Sequence, residues 1–109
     1  MGSTAQQVYD RSNSGEWIEG VGIVCRLLAD DNEGSRHQRF ILDRRNGQSL
    51  LIAHNIGIAE RLQVGMSDRV KFRGIYEWNE LGGLVHWTHH DPTGIEDGGY
   101  IEFRRRRHA

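Results

Sequence analysis

The heptapeptide His86-Trp87-Thr88-His89-His90-Asp91-Pro92 sets three of the chain's six histidines beside a tryptophan and a carboxylate. Imidazole and carboxylate together serve two chemistries. They can hold a divalent metal that supplies a Lewis acid and a bound hydroxide, as phosphodiester hydrolysis requires, or act without metal as a general base and its orienting group. On an extended strand His86, Thr88 and His90 share one face, and Val85, Trp87 and His89 the other. With Val85 and Trp87 inward, His86 and His90 are exposed, their α-carbons about 13 Å apart, near the limit for sharing an ion. His89 and Asp91, about 7 Å apart on a common face, make the better pair, and His54, His37, Asp30 or Asp31 would complete it. The candidates for catalysis and for a divalent metal are therefore His89, Asp91 and His54. A structural use competes, because buried histidines hydrogen-bond carbonyls and Asp-Pro opens turns. The helical spacing of a zincin is absent, Ser49 and Ser67 lack a nucleophile elbow, and Gly20-Val21-Gly22 lacks the rest of a dinucleotide fingerprint.

Charge offers a second chemistry. Residues 1–35 sum to −4, 36–75 to +5 and 76–103 to −6, and Arg104 to Arg107 bring the total to −1. Thirteen of the 14 bases are arginine, whose planar fork grips phosphate or carboxylate, and Lys71 is the one lysine. The candidate ligand-binding set is Arg36, His37, Arg39, His54, Asn55, Arg73, Glu77, Trp78, His86 and His90. Tyr76, Trp78 and Trp87 either stack bases or fill a small core, and the charges equally suit a solvated face.

These side chains need strands to hold them. Val21, Ile23, Cys25 and Leu27 alternate with Gly22, Val24 and Arg26, predicting a strand with a glycine-permitted bend. His37 to Asp43 and Gln48 to His54 flank Asn46-Gly47, a strong hairpin signal. Asn55 caps a predicted short helix over 56–62, with Ile58, Ala59 and Leu62 inward. Val70 to Trp78 and Leu84 to His90 form a second hairpin, and Tyr100 to Phe103 a last strand. The expected fold is mainly β: a small five- or six-stranded OB-like Greek-key barrel with one short helix between strands 3 and 4. Its ligand face would carry Arg39, Ile41, Asp43, Ser49, Leu51 and Ala53, with His37 at one edge. Residues 1–15 are expected to be a flexible segment with at most a helical turn around Ala5 to Tyr9, 16–103 the single domain and 104–109 a basic tail.

At 109 residues, 37% of them hydrophobic, the chain fits one domain and not two. It buries roughly two-thirds of its unfolded surface, so one core suffices. No stretch reaches the roughly 18 apolar residues of a membrane span. Lone Cys25 excludes an internal disulfide and a cysteine-rich zinc site. Met1-Gly2-Ser3 is compatible with a cloning remnant that replaces a removed leader, so the expected location is cytoplasmic for the chain as it stands and periplasmic or secreted if a leader preceded it.

The segments Leu28 to Ile41, Leu50 to Ile56, Tyr76-Glu77-Trp78-Asn79 with Gly82-Gly83, and the His86 to Pro92 motif resemble a bacterial family of small proteins of unknown function. The resemblance covers roughly residues 16 to 102 and implies homology without a reaction. The family it resembles carries a histidine near position 95 and a tryptophan at position 100, where this chain has Ile95 and Tyr100, and some members carry export leaders. Polar segments shared across separate strands and loops favour a common site, drawing together Asp30, Asp31, Arg36, His37, His54, Asn55, Glu77, His86, His89, His90 and Asp91. The first expectation is a binding module for single-stranded nucleic acid or another anionic ligand. The alternatives are a metal-assisted phosphodiesterase or other hydrolase centred on His89 and Asp91, and a protein-interaction adaptor using the acidic third segment.

Overall fold

Strict alternation makes the segment from Arg69 to Glu77 a strand: Val70, Phe72, Gly74 and Tyr76 are buried, while Arg69 and Lys71 are exposed between them. The computed structural model describes residues 7–109. Its strands are β1 (Trp17–Asp31), β2 (His37–Asp43), β3 (Ser49–Asn55), β4 (Arg69–Glu77), β5 (Leu84–His86), β6 (Tyr100–Phe103) and β7 (Arg106–His108). All seven belong to one sheet. The protein is therefore mainly β, as expected, with more strands than the predicted five or six. Inward residues of all but β7 supply the core, among them Val24, Phe40, Leu42, Leu50, Ile52, Phe72, Tyr76, Val85 and Ile101.

β2 and β3 pair antiparallel around Asn46-Gly47, and β3 pairs parallel with β5. One edge of β4 takes β5 and β6 end to end; the other takes residues 17–23 of β1, whose remainder pairs with β2. The change of partner falls at Ile23. There a Cβ on Gly22 would stand 2.8 Å from Leu42 Cβ, so a side chain would force the strands apart. This contact reverses the predicted facing of β1. Gly22 and Val24 point inward, Val21 and Ile23 outward, and Leu27 is exposed.

The helix expected over 56–62 is absent; the only helical element among the described residues is a 3-10 turn at Arg11–Asn13. Asn55 does begin a turn, its Oδ1 accepting from Gly57 N and its carbonyl from Ala59 N. Two buried side chains from β2 and β3 then claim the backbone a helix would use. Gln38 Nε2 donates to Leu62 O and Gln38 Oε1 accepts from Leu62 N, both at 2.8 Å, and His54 Nε2 donates to Glu60 O at 3.1 Å. The segment is a turn over 56–59 followed by irregular chain, with Ala59 and Leu62 buried but Ile58 exposed. Gln38→Leu would strand both Leu62 groups in the core. Its expected cost is about 2 kcal/mol, measured as a lower urea midpoint; a midpoint equal to wild type would show that the pairing does not hold this segment.

Of the expected flexible segment 1–15, residues 1–6 lie outside the described residues. Asp10 caps the 3-10 turn through Ser12 N, whereas the helical turn was expected around Ala5 to Tyr9. Tyr9 is held from both sides of its peptide by Gln48: Tyr9 N donates to Gln48 Oε1 and Gln48 Nε2 to Tyr9 O. The basic tail expected over 104–109 includes β7, which pairs with β6.

Candidate functional site

The His86 to Pro92 motif departs from the straight strand its sequence predicts. β5 stops at His86, and Trp87 takes a left-handed backbone, φ 58°. The alternation breaks there: Trp87 turns outward at 39% exposure, while Thr88 and His89 are buried. A non-glycine residue in this region costs about 1–3 kcal/mol, held only where surrounding structure dictates it. Three glycines do so. A Cβ on Gly74 would lie 2.7 Å from Val85 Cγ1, and one on Gly98 2.7 Å from His89 O. One on Gly99 would strike the carbonyl oxygens of Trp87 and Arg73, and Gly99 N donates to His89 O at 2.7 Å. Gly98-Gly99, directly before β6, was the unused sequence signal.

His54 is fully buried. Because Glu60 O can only accept, Nε2 carries the proton, leaving Nδ1 to accept from Thr88 Oγ1 at 2.8 Å. Burial lowers its pKa to about 4, so the ring is neutral at pH 7 with both nitrogens engaged inside the protein. His89 Nδ1 donates to His90 O at 2.7 Å. Asp91 turns to its own loop, accepting from Thr93 N, Thr93 Oγ1 and Glu96 N at 2.8–3.0 Å. Those bonds, the Thr93 N–H foremost, hold its carboxyl below the ordinary value. Thus His54 and His89 are each committed to backbone partners and Asp91 to a turn. Among the described residues no group of three or more His, Cys, Asp or Glu side chains is placed to hold a metal ion.

Most of the remaining candidates are also engaged, His86 Nε2 being a buried atom without a hydrogen-bond partner. His37 Nδ1 bonds Ser35 O at 2.8 Å, and His86 Nε2 lies 3.5 Å from Glu77 Oε1. Asn55 is spent on its turn, and His90 is exposed. Asp31 Oδ1 caps Glu33 N. Asp30 binds both Arg36 and Arg61, and the Arg61 hydrogen bond lowers its pKa. Arg39 Nε donates to Ala29 O at 2.9 Å. Arg73 lies 4.6 Å over Trp17, 3.7 Å from Glu19, and donates to Gly98 O. Trp78 is half-buried under Arg11, and Tyr76 lies wholly in the core. The outer face of β2 and β3 pairs Arg39 with Ala53, Ile41 with Leu51 and Asp43 with Ser49. It carries one cation and one acid.

Positive charge gathers elsewhere. On β4, Arg69 and Lys71 project outward opposite Ile23 and Val21 of β1. The turn between β6 and β7 adds Arg104 and Arg105, whose φ of 53° and 64° throw the chain back across β4's neighbour. These four cations, with Val21 and Glu102, line a concavity of about 200 Å³. Glu102 has its own partner, Arg107, at 3.8 Å. Among the described residues none of the four cations forms an ion pair; the pairs that do form engage Arg36, Arg61, Arg73, Arg106, Arg107, His86 and His108. No helix among the described residues is long and apolar enough to cross a membrane.

Neither a curated protein nor a solved structure matches the chain. A family model does, and it runs over residues 2–109, taking in every strand, the His86 to Pro92 motif and the basic turn alike. The chain thus belongs to the family described as "Protein of unknown function (DUF3465)".

Proposed function

We propose that this protein is an OB-type barrel module that binds a phosphate-bearing polyanion, single-stranded nucleic acid first among them. The order of pairing supports the barrel: β1 to β2, β2 to β3, β3 parallel to β5, β5 to β4, and β4 back to β1. The observation that carries the ligand class is the concavity in which four cations, Arg69, Lys71, Arg104 and Arg105, gather around one acid, Glu102, and form no ion pair among the described residues. Like charges held together on β4 and the β6–β7 turn repel one another, and an entering anion relieves that repulsion. Arginine forks on either side of Lys71 suit the oxygens of successive phosphates. The interface therefore shifts from the β2–β3 face expected from the sequence to the outer face of β4 and the β6–β7 turn.

Counterion release gives the test. Four phosphate contacts predict a log–log salt slope of about −3 for a single-stranded oligonucleotide, so affinity falls about 50-fold over a roughly fourfold rise in salt. Lys71→Ala and Arg104→Ala should each flatten the slope by about 0.7. Fluorescence anisotropy across a salt series reads both. Absent binding, or binding indifferent to salt, would refute the proposal.

A further inference from the structure

The left-handed, outward Trp87 is unnecessary to the core: 39% of its surface is exposed, and a glycine would adopt its φ of 58° without strain. A bulky aromatic kept at such a position calls for a use outside the fold. One side of its ring is already supported. His89, only 4% exposed, lies with its ring centroid 5.1 Å away and its plane tilted by 33°. His89 is itself fixed by its bond to His90 O, and His90 meets it edge-on at 6.3 Å. The peptide carrying the indole cannot drift, because the Trp87 carbonyl is packed against Gly99. The indole is thus a rigid, backed and partly open π surface.

Its position relative to the cations follows from the register. Trp87 comes directly after His86, which sits opposite Ile75 on β4. Ile75 lies in the same outward row as Arg69, Lys71 and Arg73. From Arg69 to Ile75 the row spans about 20 Å, so the Trp87 backbone begins about that far along β4 from the end that carries the cationic concavity. Phosphate contacts alone carry no preference for the bases, whereas an aromatic face stacks on any of them.

We propose that Trp87 is a stacking platform for an unpaired nucleobase of a single strand whose phosphates occupy the Arg69, Lys71, Arg104 and Arg105 concavity; this rests on the polyanion reading above. The full chain is tested by anisotropy against oligothymidylate and an abasic oligonucleotide of equal length. Wild type should prefer the base-bearing strand by roughly ten- to a hundredfold. Trp87→Gly, which also relieves the backbone, should erase that preference while leaving abasic binding, the salt slope and the melting temperature no lower than wild type. Trp87→Leu, with an apolar side chain but no ring, should erase it too, and Trp87→Phe should retain most of it. Equal binding of both strands by wild type, or a preference that survives the glycine and leucine variants, overturns the platform and leaves the polyanion reading standing. Binding of neither strand by wild type overturns both.

Discussion

Gly99→Ala is expected to destabilise the protein by about 3 kcal/mol or more, at or above the upper end of ordinary overpacking. Gly99's backbone is one that other residues adopt, so the penalty comes from space. The added Cβ would strike the Trp87 and Arg73 carbonyl oxygens and come within 3.1 Å of Thr88 Cα. All three are backbone atoms, with no rotamer by which to withdraw. Arg73 belongs to β4 and the other two to the segment after β5. Relief would part those elements and lengthen the Gly99 N to His89 O bond. Urea unfolding should show a lower midpoint at an unchanged slope. Gly94 is the useful comparison: its φ is 74° and nothing lies within 4 Å of a Cβ there, so Gly94→Ala isolates backbone preference at about 1 kcal/mol. If Gly99→Ala cost no more than Gly94→Ala, the close packing that fixes Trp87 would have to be abandoned.

Acid should destabilise the protein well above the carboxylate range, and His54 should be the principal cause. Its folded pKa of about 4 lies below its ordinary 6.5. Between those values the unfolded chain binds the proton and the folded chain does not. Stability is therefore full above about pH 6.5 and falls with pH down to about 4, by about 3 kcal/mol in all. Asp30 and Asp91 are depressed instead, so their contributions fade at lower pH, below 3.8. His54→Gln preserves an amide donor for Glu60 O and carries no titrating group. Chemical denaturation from pH 7 to 4.5 should show a steep decline for wild type and a flatter one for the variant. Parallel declines would mean that His54 is protonated in the native state.

Strands were legible because a half-buried sheet writes its facing into the sequence two residues at a time. β2 occupies the residues expected of it, as does β6, and Asn46-Gly47 marks the β2–β3 hairpin. What failed was decided by residues far away in the chain. The 56–62 segment looks helical by itself, but Gln38 and His54 take its polar groups. β5 reads as seven residues and ends after three, because Gly74, Gly98 and Gly99 admit a turned backbone at Trp87. The facing of β1 depended on Leu42 beside Gly22. The site divides in the same way. The arginines behind the proposed anion binding were visible in the sequence, yet which cations remain outside ion pairs depends on register. Asp30 takes Arg36 and Arg61 and Glu19 takes Arg73, whereas Arg69, Lys71, Arg104 and Arg105, outside every ion pair among the described residues, come together where β4 meets a turn that read as a tail.

The two-sided use of β1 bears on how the chain reaches this state. The β2–β3 hairpin forms from near neighbours, and residues 23–31 of β1 can join it early. Residues 17–23 must wait for β4, which emerges only after the whole intervening chain, and the parallel β3–β5 pair waits longer still. Late, non-local pairing makes for slow folding. Until β4 arrives, the first half of β1 is an unpaired ribbon edge able to recruit another copy. Yield during synthesis would then be governed by the lifetime of that open edge and by the concentration of chains carrying it, so a lower expression level would favour pairing within the chain over intermolecular strand exchange.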